Sequence, residues 1–160
     1  MADFIGTHQG KLDAKGRVSV PAAYRASLKT GSASGNTAPI APAPLYLRPS
    51  HKFPCLEGFT EKAFARLEEE LDKLPEFSDE HADLATALYS EAIRLEADKE
   101  GRIVLPAELI GHAGLNEGGI AFLGKGKTFE IWDASTAERR KIEARERAAA
   151  LRFAAPGVVH

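Results

Sequence analysis

Nine residues, Asp13-Ala14-Lys15-Gly16-Arg17-Val18-Ser19-Val20-Pro21, return 85 positions later as Asp98-Lys99-Glu100-Gly101-Arg102-Ile103-Val104-Leu105-Pro106. Asp, Gly, Arg and Pro recur in place, and the apolar positions stay apolar (Val18/Ile103, Val20/Leu105). This duplication restricts the fold more than any other feature. Each copy is a small unit, and units of about 45 residues rarely support a core of their own. The two copies are therefore expected to share one.

The local pattern is the same around both copies. Residues 4–12 are rich in strand formers. Asp13 to Gly16 reads as a tight turn, with Gly16 free to take positive φ. Arg17 to Val20 alternates as a strand does. A β-hairpin over 4–20 follows, with Pro21 at the first position of a short helix through Leu28. Residues 31–44, rich in Gly, Ala and Pro, read as a loop. Leu45–Leu47 and Phe53–Leu56 read as a second hairpin, with Pro54 confining its strand to a sheet edge. A helix is expected from Glu57 to Leu74 and another from a Ser78 cap through Leu88.

The second copy repeats the order. Glu91 to Asp98 alternates as a strand, and a turn, a short strand, Pro106 and a helix to Ile110 follow, with Gly111 or Gly114 as its cap. Ile120–Leu123 and Thr128–Trp132 form a hairpin around Gly124–Lys127, at an offset of 76 from the first pair. Asp133 or Ser135 caps a final charged helix to about Arg152, Ser135 and Glu138 having capping-box spacing. Residues 153–160 read as a loose tail. The expected class is α+β: two ββαββ repeats packed about a pseudo-twofold axis into a split β-barrel with flanking helices. The division expected is a first repeat over 5–56, a helical connection over 57–90, a second repeat over 91–134, and a C-terminal helix and tail over 135–160.

Composition narrows the function. One cysteine, Cys55, leaves no disulfide framework and no thiolate zinc cluster. The five histidines are scattered, with none at the i,i+4 spacing of a helical metal motif. Cys55 beside Pro54 reads as a small core residue rather than a nucleophile. Gly124-Lys125-Gly126 lacks the rest of a phosphate loop. No catalytic constellation emerges, so the chain is read as a non-enzyme with no cofactor, no metal and no small-molecule substrate. No apolar run approaches the ~20 residues of a membrane span, and no signal peptide is evident. A cytoplasmic protein is expected.

These residues resemble the MraZ family, a two-copy relative of the AbrB-type swapped-hairpin DNA-binding domains. The resemblance rests on Gly6, Asp13-x-x-Gly16-Arg17-x-Ser19-Val20-Pro21, Tyr24-Arg25, Leu45-Tyr46-Leu47, Glu91, Asp98-x-x-Gly101-Arg102-Ile103-x-x-Pro106, Ala113-Gly114-Leu115 and Gly124-x-x-x-x-Phe129-Glu130-Ile131-Trp132. Loop 31–44 is longer than the family usually carries, and the stretch after about Arg145 has no firm counterpart. The resemblance implies a bacterial transcription regulator, nucleoid-associated, that assembles into a homo-oligomeric ring. It further implies binding to double-stranded DNA at short direct repeats upstream of its own cell-division and cell-wall gene cluster.

The duplication also permits an internal comparison of charge. Between His8 and Lys29 there are five basic residues and one acidic, net +4; between Ile93 and Gly114 there are three basic and four acidic, net −1. Two matched positions reverse sign outright, Lys11 to Glu96 and Lys15 to Glu100. Phosphate repels Glu and is contacted by Lys and Arg. The first copy is therefore the expected DNA surface. Arg17 can offer a bidentate fork to guanine, with Lys11, Lys15 and Arg25 in support. Asp13 and Arg17 can also pair across the turn and fix the hairpin, but the basic surroundings of Arg17 favour DNA contact for it. Asp13, Gly16, Asp98, Gly101 and Arg102 are read as the structural turn motif. For Arg25 a solvated helix face is an equal reading. The competing function is an AbrB-fold antitoxin or protein-interaction module with secondary DNA binding.

Overall fold

A computed structural model describes residues 3–32 and 43–151. Most of loop 31–44 and the tail assigned to 153–160 lie outside the described residues. The Asp-x-x-Gly turn forms in both copies: the Gly16 N–H donates to the Asp13 carbonyl (3.0 Å) and the Gly101 N–H to the Asp98 carbonyl (2.9 Å). Gly16 and Gly101 sit at φ of 79° and 80°, where a side chain would strain the backbone. One more bond, from the Asp13 N–H to the Arg17 carbonyl (3.0 Å), closes the first turn.

Beyond that bond the arms part. The hairpin expected over 4–20 is thus corrected: strand β1 (Thr7–Lys11) and strand β2 (Arg17–Ser19) join different sheets. β2 pairs antiparallel with β6 (Arg102–Val104), in the register Arg17↔Val104, Val18↔Ile103, Ser19↔Arg102. Matched residues of the two copies therefore lie symmetrically about the Val18–Ile103 pair. The flanking bonds obey the same symmetry: the Val20 N–H donates to the Gly101 carbonyl (2.9 Å), and the Leu105 N–H to the Gly16 carbonyl (2.8 Å).

The larger sheet repeats this exchange. Its further strands are β3 (Pro44–Pro49), β4 (Leu56–Phe59), β5 (Ile93–Glu96), β7 (Gly119–Gly124) and β8 (Thr128–Asp133). Their order with β1 is β1-β7-β8-β4-β3-β5. Exchanging the copies maps β1 onto β5, β7 onto β3 and β8 onto β4, and the order reads the same in reverse. So β1 completes the hairpin of the second copy and β5 completes that of the first. β4 and β8 meet at the centre. The strands do not close into a barrel. They divide into this six-stranded sheet and the β2–β6 ribbon, in the expected α+β class.

One core serves both copies. It includes the matched pairs Val18/Ile103, Val20/Leu105, Tyr24/Leu109 and Leu28/Ala113, with Phe4, Leu45, Leu47, Phe122 and Phe129. Full burial of a Val, Leu, Ile or Phe side chain contributes about 1.5–3 kcal/mol, and the copies meet directly where Tyr24 of the first packs on Phe122 and Phe129 of the second. Tyr24 and Leu28 come from helix α1 (Ala22–Thr30), for which Pro21 is the cap rather than the first residue. Leu109 and Ala113 come from helix α5 (Ala107–Ala113), which runs past Ile110 to a left-handed Gly114.

Tertiary pairing overrides local pattern at two further places, and the helices after them differ in detail. Pro54 lies in the connection before β4, so β4 keeps its N–H groups and occupies the sheet centre, not an edge. Glu57 to Phe59, expected as helix, belong to β4. The helix begins after Thr60, whose hydroxyl accepts the Ala63 N–H (3.0 Å), and breaks at Arg66 into α2 (Glu61–Ala65) and α3 (Leu67–Asp72). Helix α4 (Asp79–Ala85) starts at the Ser78 cap as expected and continues into a single π-turn at Thr86–Ser90. Helix α6 (Ala134–Ala150) is capped by Asp133, which accepts the Thr136 N–H (3.1 Å); Ser135 lies inside the first turn.

Gly58 is the tightest point of the central pairing. It stands opposite Phe129, and a Cβ there would run into the fully buried Phe129 ring. Gly58→Ala should therefore destabilise the fold by about 1–3 kcal/mol, the usual cost of overpacking a core. Chemical denaturation will check this: the midpoint should fall while the slope stays constant.

Candidate nucleic-acid interface

Each turn is held by one aspartate. Asp13 Oδ1 accepts the N–H groups of Lys15 and Arg17, both at 2.9 Å, and Oδ2 accepts Arg17 Nε at 2.7 Å. Asp98 does the same for Glu100, Arg102 and Arg102 Nε, at 2.9, 2.9 and 3.1 Å. Three donors on one carboxylate favour its charged form. The backbone N–H of Arg17 followed by its side chain holds Asp13 below its ordinary range, and the N–H of Arg102 leads the same effect at Asp98. The structural reading of Asp13, Asp98 and the two glycines follows from this geometry, and the Asp13–Arg17 pair is made.

The two turns differ around the arginine. In the second copy Arg102 Nη2 also reaches Glu100 Oε2, at 3.2 Å. In the first copy position 15 is an exposed lysine, and Asp13 is the one hydrogen-bonding partner of the Arg17 guanidinium among the described residues. Both arginine side chains are equally exposed, at 32%. Charge, not access, separates them. Arg17 is held at Nε by Asp13 and keeps its two terminal nitrogens for an acceptor; Arg102 has one of its two already bound.

The ribbon brings these residues to one surface. Val18 and Ile103 point inward, leaving Arg17, Ser19, Arg102 and Val104 on the outer face. Val104 is 57% exposed. Neither Ser19 nor Val104 stands out in the sequence as a site residue. Strand alternation places each on its own outer face, but only the β2–β6 register puts Val104 opposite Arg17. Lys15 shares the turn with Arg17, and Lys11 lies exposed at the end of β1. Arg25 goes elsewhere: its guanidinium covers Gly101 of the opposite turn, where a Cβ would lie 2.7 Å from Nη1. Ile110, the matched residue of the second copy, takes the corresponding place over Gly16. The other reversed position is also neutralised in the second copy, where Glu96 pairs with Arg94 at 3.0 Å.

Cys55 is fully buried, and burial pushes its thiol far above the usual range, helped by the nearby Glu130 and Glu57 carboxylates. Such a thiol is a poor nucleophile. Among the described residues no cluster of His, Cys, Asp and Glu could hold a metal, and no helix is long and apolar enough to cross a membrane.

Comparison with known proteins agrees with this architecture. The family model described as "MraZ protein, putative antitoxin-like" matches residues 4–33 and 88–151. The chain belongs to the MraZ family. The match runs through both turns and on to residue 151, beyond Arg145, where the resemblance read from the sequence ended. A transcriptional regulator MraZ of Gluconacetobacter diazotrophicus is 50% identical over 157 residues, covering 98% of this chain and 95% of the relative. One of Gluconobacter oxydans is 48% identical, covering 94% and 88%. One of Pelagibacter ubique is 34% identical, covering 91% and 87%. MraZ relatives are named as regulators of transcription, not as enzymes, which fits a non-enzyme.

The turn geometry fixes a pH dependence. A carboxylate with a lowered pKa stabilises the fold above its unfolded-state pKa, and that contribution is lost as pH falls through the folded-state value. Asp13 should therefore titrate below the ordinary aspartate range in an NMR pH series. Arg17→Ala should move its midpoint upward by removing the guanidinium bond, leaving the backbone donors in place.

Proposed function

We propose that this chain is a sequence-specific DNA-binding transcription regulator that reads double-stranded DNA with the first-copy turn and the outer face of the β2–β6 ribbon. The observation that carries the reading is the difference between two otherwise matched turns: Lys15 leaves Arg17 available where Glu100 engages Arg102. A two-stranded ribbon fits the B-DNA major groove, and a guanidinium with two open nitrogens suits the O6/N7 edge of guanine. Lys15 and Lys11 supply point charges for backbone phosphate. Arg25 supports the face from the opposite turn. Val104 and Ser19 add an apolar contact for a thymine methyl and a hydroxyl for a base edge or phosphate.

The same proposal includes the organisation implied by the family. The region 5–56 is the DNA-facing repeat, 57–90 the helical connection, 91–134 the structural twin, and 135–160 a C-terminal helix and tail. A net +4 patch binds weakly by itself. Repeated around a homo-oligomeric ring it gains from effective concentration, provided the target carries repeated short boxes. Those boxes lie upstream of its own cell-division and cell-wall gene cluster, and the protein acts in the cytoplasm at the nucleoid.

A mobility-shift titration tests this. The protein should prefer its own upstream region over random DNA at moderate salt. Arg17→Ala should lose about 1–3 kcal/mol of that preference, the range for a bidentate base contact, and Arg102→Ala should lose less while remaining folded. Equal affinity for random DNA contradicts the regulator reading and favours the protein-interaction module. Equal losses from the two variants contradict the assignment of the first copy.

A further inference from the structure

The segment 57–90 is strongly acidic, with ten carboxylates against three basic residues, Lys62, Arg66 and Lys73. Lys73 pairs with Glu70 at 3.2 Å. Lys62 and Arg66 form no ion pair with any of the described residues, despite the carboxylates that surround them in sequence. Both line the same cavity, of about 300 Å³, together with Lys127 from the β7–β8 turn and the threonines Thr30 and Thr60. Among the described residues no carboxylate lines it. Lys62 lies on α2 and Arg66 caps its C-terminal end four residues on, a spacing at which like charges repel.

We propose that this cavity binds a phosphate-bearing small molecule. Its cations are the ammonium groups of Lys62 and Lys127 and the guanidinium of Arg66, a donor set suited to a multiply charged oxyanion. Among the described residues Lys127 has one weak partner, Asp3 at 3.8 Å. Recognition comes from side chains, because the first α2 donors are already engaged: the Lys62 N–H donates to the Gly31 carbonyl (3.0 Å) and the Ala63 N–H to the Thr60 hydroxyl. The volume lies at the lower end of small-molecule sites, roughly 300–1,000 Å³. The site shares no residue with the ribbon face, and it stands or falls separately from the DNA-binding reading.

Calorimetric titration of pyrophosphate into the full chain, without DNA, tests the proposal. Saturable binding with one site per chain is expected. The double variant Lys62→Ala/Arg66→Ala, with its fold checked by circular dichroism, should bind at least about tenfold more weakly, because two charge contacts are removed. Lys99→Ala, an exposed lysine of the second turn outside both sites, should bind as the wild type does. Absence of saturation in the millimolar range overturns the proposal, as does equal affinity in the double variant. If pyrophosphate does not bind while the double variant weakens DNA binding, the cavity takes a phosphate of the DNA backbone and the small-molecule assignment is wrong.

Discussion

The Val18–Ile103 pairing in the β2–β6 ribbon is the contact on which the rest of the structure depends. It joins two matched strands from the two copies, and it fixes where each turn can lie relative to the other. Once this register is set, the bonds from Val20 to Gly101 and from Leu105 to Gly16 lock each turn against the strand of the other copy. β1 and β5 then have no partner within their own copies and complete the hairpins across the axis. Neither copy has a finished sheet without the other, and this explains why the two core halves are buried together rather than side by side.

Mutual completion also leaves freedom for function. The shared Asp, Gly and Pro are needed twice, once for each turn and helix start. The residues beside them are not bound by the symmetry. Position 15 can be lysine and position 100 glutamate without disturbing the backbone, since in both cases it is the main-chain N–H that bonds the aspartate. The side chain is free to set the local charge. A duplicated fold can thus hold a surface that is structurally symmetric and electrostatically polarised.

Much of this was legible in the sequence. The repeat, both turns, the helices after Pro21 and Pro106, the second-copy hairpin and the charge reversal follow from local rules. What local rules missed is non-local pairing. The hairpin over 4–20 opens because β1 finds five residues of ladder on β7. Glu57 to Phe59 become a central strand because Gly58 admits the Phe129 ring. Arg25 lies over the opposite turn, and Val104 faces outward opposite Arg17; both placements depend on the exchange of strands between copies, which a linear reading does not supply.

The central claim is that charge at the matched positions 15 and 100, not the fold, decides which arginine reads DNA. An exchange of those charges tests it most directly. In the double variant Lys15→Glu/Glu100→Lys the net charge is unchanged, and the turn backbone should remain intact. Operator binding measured on this background should become sensitive to Arg102→Ala and insensitive to Arg17→Ala. If binding still depends on Arg17 after the exchange, the polarity comes from elsewhere in the molecule and the account is contradicted.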